Sequence, residues 1–203
     1  MRAVARPGDK VLDIGVGTGR LLASVSGVEK HGIDVSLNYL QRLVGGDVEL
    51  AQGSIEALPY KDGYFDVVTC TDVLEHVVDL NQALRELRRV LRPGGAAVLR
   101  VPYLEDLAPY LHPDFPYQFA HLRNFDESSL RLLLEKVAGF EVSAVHLDRA
   151  FIAAKLTWPL PRGMQAFTTL AAGLSRRRPA WRNFLHGCYR PVEITVVATK
   201  RLD

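Results

Sequence analysis

The stretch Val11 to Arg20 limits the fold of this chain more than any other. An apolar strand segment runs straight into Asp13-Ile14-Gly15-Val16-Gly17-Thr18-Gly19-Arg20. The three glycines let the backbone turn tightly and approach a ligand with no Cβ in the way. Four more apolar or β-branched runs follow at intervals that leave room for helices: Gly32 to Val35, Val48 to Gly53, Phe65 to Thr71 and Ala96 to Val101. Two later runs, Glu141 to Leu147 and Glu193 to Lys200, complete a set of seven strands. Asn81 to Arg92 reads as a helix, with Leu84, Leu87 and Leu91 on one face, Asn81 as cap and Pro93-Gly94-Gly95 as stop. A second helix follows Asp126, whose carboxylate can accept the free amide hydrogens of the first turn. Leu130, Leu133, Leu134 and Val137 form its buried stripe, and Gly139 ends it. This alternation predicts an α/β fold, a Rossmann-like doubly wound sheet of seven strands whose ligands sit beyond the carboxyl ends of the strands.

The turn itself narrows the ligand. Its pattern is GxGxG, with Arg20 where a dinucleotide fingerprint places its third glycine. An ionised Asp13 at the strand end would repel a pyrophosphate and attract a cation. Asp34, in Gly32-Ile33-Asp34-Val35-Ser36, closes the second strand about twenty residues later, where a carboxylate can accept both hydroxyl protons of a ribose.

The 203 residues are 48% hydrophobic and 24% charged, which fits one compact domain over 1–203 and excludes collagenous and disordered classes. Net charge is +2, unevenly spread: residues 1–148 hold 15 basic and 21 acidic groups, whereas 149–192 hold eight basic and no acidic ones. That basic, aromatic-rich stretch, about 150–191, breaks the alternation and reads as an insertion between the last two strands. It could close a substrate pocket or rest on an anionic membrane as a peripheral contact. Two cysteines without CxxC spacing give no disulfide framework, and the N-terminus has no apolar signal region, so a cytoplasmic protein is expected.

Five segments in order resemble the motifs of class I S-adenosylmethionine-dependent methyltransferases, closest to the small-molecule type 11 group. They are Val11 to Arg20, Gly32 to Ser36, Gly53 to Tyr60 with Tyr64 to Val68, Asp72-Val73-Leu74-Glu75-His76-Val77, and Arg89 to Gly95. The resemblance implies strand order 3-2-1-4-5-7-6 with the last strand antiparallel, and S-adenosyl-L-methionine as cofactor. By the same resemblance, Asp13, Gly15 and Gly17 surround the methionine part and Asp34 the ribose. Val35 covers one adenine face, Ser54 and Ile55 its amino edge, and Thr71 meets the amino group. Ser54 departs from the Asp common in the family, and a neutral hydroxyl accepts more weakly than a carboxylate.

Methyl transfer from a sulfonium mainly requires alignment and exclusion of water. A hydroxyl acceptor adds the need for a general base, for which His76, His112 and His121 lie after strands on the ligand side. His121 resembles an acceptor-pocket histidine of some relatives, and His76 closes a family motif at a helix start; both are candidate catalytic residues. Asp72, Glu75 and His76 resemble the divalent-metal positions of quinone O-methyltransferases, but their spacing along one short turn suits capping, and no metal is expected. Thr71-Asp72-Val73-Leu74 replaces the Asn/Asp-Pro-Pro-Tyr motif of amino-methylating DNA enzymes, which argues against a nucleic-acid partner. The expected function is transfer of a methyl group to oxygen or carbon of a small molecule. The alternatives are a non-catalytic cofactor-binding subunit and a membrane-associated lipid or quinone methyltransferase.

Overall fold

The computed structural model describes residues 4–113, 120–151 and 189–202. In chain order the elements are β1 (Lys10–Ile14), α1 (Arg20–Ala23), β2 (Glu29–Asp34), α2 (Leu37–Gln41), β3 (Val48–Gln52), β4 (Phe65–Thr71), α3 (Leu80–Val90), β5 (Leu91–Pro102), α4 (Glu127–Leu132), β6 (Phe140–Phe151) and β7 (Tyr189–Lys200). They build one seven-stranded sheet in the order β3-β2-β1-β4-β5-β7-β6, with β7 antiparallel. β1 pairs in parallel with β2 on one side and β4 on the other. The chain therefore reverses its direction of winding at β1, and a crevice opens beyond the carboxyl ends of these three strands. Alternation along β1 sends Val11 into a cluster with Val16, Leu22, Leu40 and Val67, while Leu12 faces the opposite side of the sheet. Both are fully buried, so the strand carrying the glycine turn is anchored on both faces.

Several elements extend beyond the sequence reading, each for a physical reason. β2 starts at Glu29 rather than Gly32, because Lys30 and His31 are buried with partners. The Lys30 ammonium meets Asp47 at 2.6 Å, and His31 Nε2 lies 2.8 Å from Glu29 Oε1. The His31 ring also stands edge-on to Phe65 at 5.1 Å and Tyr64 at 5.7 Å. Buried polar groups are tolerated when paired in this way. α3 starts at Leu80, and its cap is Asp79, whose carboxylate accepts from Gln82 N at 2.9 Å, in place of the expected Asn81. Its buried face is Ala83, Leu84, Leu87 and Val90. Leu91 already pairs with Phe65, and the pairing resumes only at Val67 with Ala96, so Arg92 to Gly95 bulge out of β5.

Gly95 makes that bulge possible. A Cβ there would lie 2.4 Å from Leu91 Cδ2, 2.9 Å from Arg92 O and 3.0 Å from Asp66 O. Gly95→Ala is expected to cost about 2–3 kcal/mol in chemical denaturation, the usual range for overpacking against backbone.

Asp126 caps α4 as expected, and it forms a full capping box with Ser129. The helix then widens into a π-turn over Leu133–Val137, closed by Ala138 N to Leu133 O at 2.9 Å. The extra residue rotates the buried stripe: Leu130, Leu134 and Ala138 are inside, Leu133 is half-buried and Val137 is 64% exposed. The expected 3.6-residue stripe through Val137 fails for that reason.

Residues Met1–His146 with Ile194–Asp203 form one compact unit, and Leu147–Glu193 a second. Of the second, only the strand ends are described, and the expected insertion at 150–191 falls almost wholly outside the described residues. Among the described residues no helix is long and apolar enough to cross a membrane.

Candidate active site

The end of β1 is tied to the end of β2. Gly15 N and Val16 N both donate to Ile33 O, at 2.8 and 3.1 Å. Gly15, Gly17 and Gly19 take φ of +73°, +48° and +72°, a region that side chains disfavour, which is why the turn needs these residues. Asp34 then braces the loop, with Oδ2 accepting from Gly17 N at 2.9 Å and Oδ1 from Ser36 N at 2.8 Å.

Asp13 is 2% exposed, and Thr69 Oγ1 donates to it at 2.6 Å from the adjacent strand. Burial pushes its carboxyl up to about 7; the Thr69 hydrogen bond opposes the rise and the Asp34 charge adds to it. A carboxyl poised near neutrality and short of cationic partners gains from a positively charged ligand.

Two adjoining clefts open here, of about 1040 and 720 Å³. The first is lined by Asp13, Gly15, Gly17, Asp34 and Thr71, the second by Gly15, Asp34, Val35, Ser54 and Ile55. All eight cofactor positions named from the sequence thus meet around one crevice. Their chemistry suits S-adenosylmethionine: acidic groups for its two cationic centres, a braced carboxylate for its ribose, and Val35, 64% exposed, as an apolar face for the purine. Ser54 Oγ already accepts from Glu56 N at 3.2 Å, and Ile55 is only 4% exposed, so that edge is held chiefly by local turn structure.

The turn after β4 forms the next wall. Asp72 sits at φ +57°, and its N donates to Arg100 O at 3.0 Å while its carboxylate pairs with the Arg100 guanidinium. Asp72 is thereby paired with Arg100, and the trio brought closest together is Glu75, His76 and His121 instead of the Asp72, Glu75 and His76 grouped from the sequence. Glu75 is 1% exposed, and neither carboxyl oxygen has a hydrogen-bond partner from another described residue. Burial lifts its carboxyl to about 7, with the Asp72 charge reinforcing that shift and His121 opposing it.

Residues 120–123 dock against this turn. Leu122 N donates to Glu75 O at 2.8 Å. Arg123 donates to three carbonyl oxygens, those of Leu74 at 2.9 Å, Val77 at 2.5 Å and Val78 at 3.3 Å. The docking brings the His121 ring within 4.6 Å of His76, edge to face. His76 Nδ1 lies 3.3 Å from Ala120 O, and burial holds this imidazole below the usual histidine range. His121 Nδ1 meets Glu105. One side-chain atom each from Glu75, His76 and His121 lies within 4.8 Å of the other two, so the trio could geometrically share a proton or a small cation. His112 is exposed, and neither it nor His121 lines the two clefts; His121 adjoins them through the ring of His76, which lines both. Sequence reasoning missed Thr69, Arg100, Glu105 and Arg123, none of which belongs to a local pattern.

A family model for a methyltransferase domain matches residues 12–99. The ubiquinone/menaquinone biosynthesis C-methyltransferase UbiE of Vibrio campbellii is 41% identical over 122 residues, covering 54% of this chain and 46% of that protein. An uncharacterized 37.1 kDa protein in a Streptomyces fradiae transposon is 34% identical over 157 residues, 72% of this chain and 44% of that one. The chain thus spans less than half the length of these curated relatives. In fold, a SAM-dependent methyltransferase from Methanosarcina mazei superposes with a TM-score of 0.66 at 18% identity, over 100% of this chain and 97% of that one. The glycine turn, the two strand-end carboxylates and the end of the strand at which the sheet order reverses all lie in the matched residues 12–99, which identify this part of the chain as a class I S-adenosylmethionine-dependent methyltransferase domain of the type 11 group.

Proposed function

We propose that this protein methylates a small aromatic acceptor bearing an ionisable hydroxyl, at that oxygen or at a carbon of the same ring. S-adenosylmethionine, when bound, supplies an activated methyl group, and Asp13, Asp34 and the glycine turn are the residues that would hold it. The observation that carries the acceptor assignment is His121, set beside His76, which itself lines both clefts. Histidine is the side chain whose ordinary pKa suits proton removal near neutrality. Removing a phenolic proton raises the electron density on oxygen and on the ring carbons next to it, so one base serves either site of methylation. The names of the Vibrio relatives favour a quinone-type ring over other phenols. The exposed apolar side chain of Val78, 80% exposed at the cleft rim, suits such a ring.

In this reading His121 takes the acceptor proton, His76 packs against its ring, and the segment docked by Arg123 keeps both in place. The test is transfer of label from methyl-labelled S-adenosylmethionine to catechol and 1,4-naphthohydroquinone probes. His121→Gln is expected to lower kcat about a hundredfold, the lower end of general-base contributions, with cofactor Kd unchanged. Tight cofactor binding with no label transferred to any probe would favour the non-catalytic reading instead.

A further inference from the structure

We propose that Glu105, held by Tyr110, is the positioning residue that fixes His121 in the tautomer able to accept a proton. The inference rests on the base role given to His121 above and adds what sets that role. The chain leaving β5 is pinned where it must be for this: Tyr103 bridges to Phe125, and Leu104, at φ +50°, donates its N–H to Phe125 O at 2.8 Å. That places Glu105 opposite the docked 120–123 segment.

Both oxygens of Glu105 are engaged. Oε1 accepts from the Tyr110 hydroxyl at 2.9 Å, and Oε2 meets His121 Nδ1. An ionised carboxylate only accepts, so the hydrogen between it and the imidazole must sit on Nδ1, and the lone pair is left on Nε2. The Tyr110 phenol, pushed up to about 12 by burial and by Glu105, stays protonated and keeps donating. Its ring lies tilted against His121 at 5.0 Å and the His76 ring meets the same imidazole edge to face at 4.6 Å, so the imidazole is held in orientation as well as in tautomer. The ionisable groups around it are Glu105 and Tyr110 from the segment after β5, and Asp72, Glu75 and His76 from the turn after β4.

The proton balance is simple. The acceptor O–H bond breaks as the Nε2–H bond forms, and the electron pair stays on the acceptor oxygen or passes to a neighbouring ring carbon. That pair makes the new bond to the methyl group as the methyl–sulfur bond breaks, and sulfur leaves with its electrons as a neutral thioether. For carbon methylation, the hydrogen on that carbon is then lost to solvent and the hydroxyl is restored by the proton held on His121. The imidazolium formed on the way lies against the Glu105 carboxylate, which offsets its charge.

Glu105→Gln separates this role from a structural one. The Tyr110 hydroxyl would claim the amide oxygen, turn the NH2 toward Nδ1 and force the proton onto Nε2. Long-range 1H–15N NMR of the whole protein with S-adenosylhomocysteine should show Nδ1–H at His121 in the native chain and Nε2–H in Glu105→Gln. With the naphthohydroquinone probe, kcat should fall about a hundredfold at unchanged KM and cofactor Kd. Adding Tyr110→Phe frees the amide to rotate its oxygen toward Nδ1, so the double variant should recover at least tenfold over Glu105→Gln, where a merely structural role would make it worse. A native Nε2–H signal, or an unchanged tautomer in Glu105→Gln, overturns the proposal whatever the activity. A flipped tautomer with full turnover also overturns it. If His121→Gln turns over at the native rate, the base reading itself has failed, and the double-variant rescue will be absent as well.

Discussion

Asp13→Asn is expected to weaken S-adenosylmethionine binding about thirtyfold, or about 2 kcal/mol, because it removes a buried charge that faces a cationic ligand. The same change should stabilise the unliganded fold above pH 7 by roughly 3 kcal/mol. The sign follows from the raised carboxyl. Asp13 titrates at about 7 in the fold, whereas an unfolded carboxyl titrates near 4. The folded state therefore binds more protons between those values, native stability falls as pH rises across the window, and the cost is complete above it. Asn carries no such cost and can still accept from Thr69. Melts at pH 8 should separate the two proteins by roughly 6–12 °C, while at pH 4 they should coincide. A cationic ligand draws the Asp13 pKa down, so the native affinity should rise from pH 6 to pH 8. Calorimetry in buffers of different ionisation enthalpy should also record proton release on binding. Equal affinity across that range would show that Asp13 does not face the positive charge.

Arg123→Ala is the second large effect. Its guanidinium serves the carbonyls of Leu74, Val77 and Val78, two of these bonds part-buried. Charge-assisted bonds to partly desolvated acceptors are worth about 1.5–3 kcal/mol, so a loss of about 3 kcal/mol in urea unfolding is expected. Residues 120–123 then lose their main tether, and His121 no longer reaches a fixed place beside His76. Turnover of the phenolic probes should drop at least a hundredfold while cofactor Kd, set chiefly by Asp13, Asp34 and the glycine turn, changes less than threefold. Arg123→Lys gathers its donors on one nitrogen, which cannot span three separated carbonyls as the guanidinium fork does, and should recover only part of the stability.

The contrast between the two walls shows what the amino-acid order revealed. Asp13, the glycines and Asp34 lie at strand ends or in a tight turn, where function and local conformation require the same residues within a few positions. Their places around the crevice were legible for that reason, and the sheet order came with the family resemblance that the ordered motifs carry. The acceptor wall is different. Glu105 meets His121 sixteen positions away, and Arg123 reaches Leu74 forty-nine positions back, contacts that leave no periodicity to read. Lys30 and His31 fall outside the strand expected from Gly32 to Val35 because their partners Asp47, Glu49 and Phe65 come from other strands and turns. The π-turn at Leu133–Val137 was hidden because it inserts one residue into an otherwise regular apolar pattern.

The three-way grip of Arg123 on main-chain oxygens has an evolutionary consequence. Any amino acid at 78 presents the same carbonyl, and Val78 is exposed, so the side chain there can drift without loosening the moored segment, whereas Leu74 and Val77 are held by the core. Lineages sharing this arrangement are free to reshape the pocket mouth at Val78 for new acceptors while the arginine stays. Substrate range can therefore diversify on a fixed mooring, and the arginine should outlast the residues it holds.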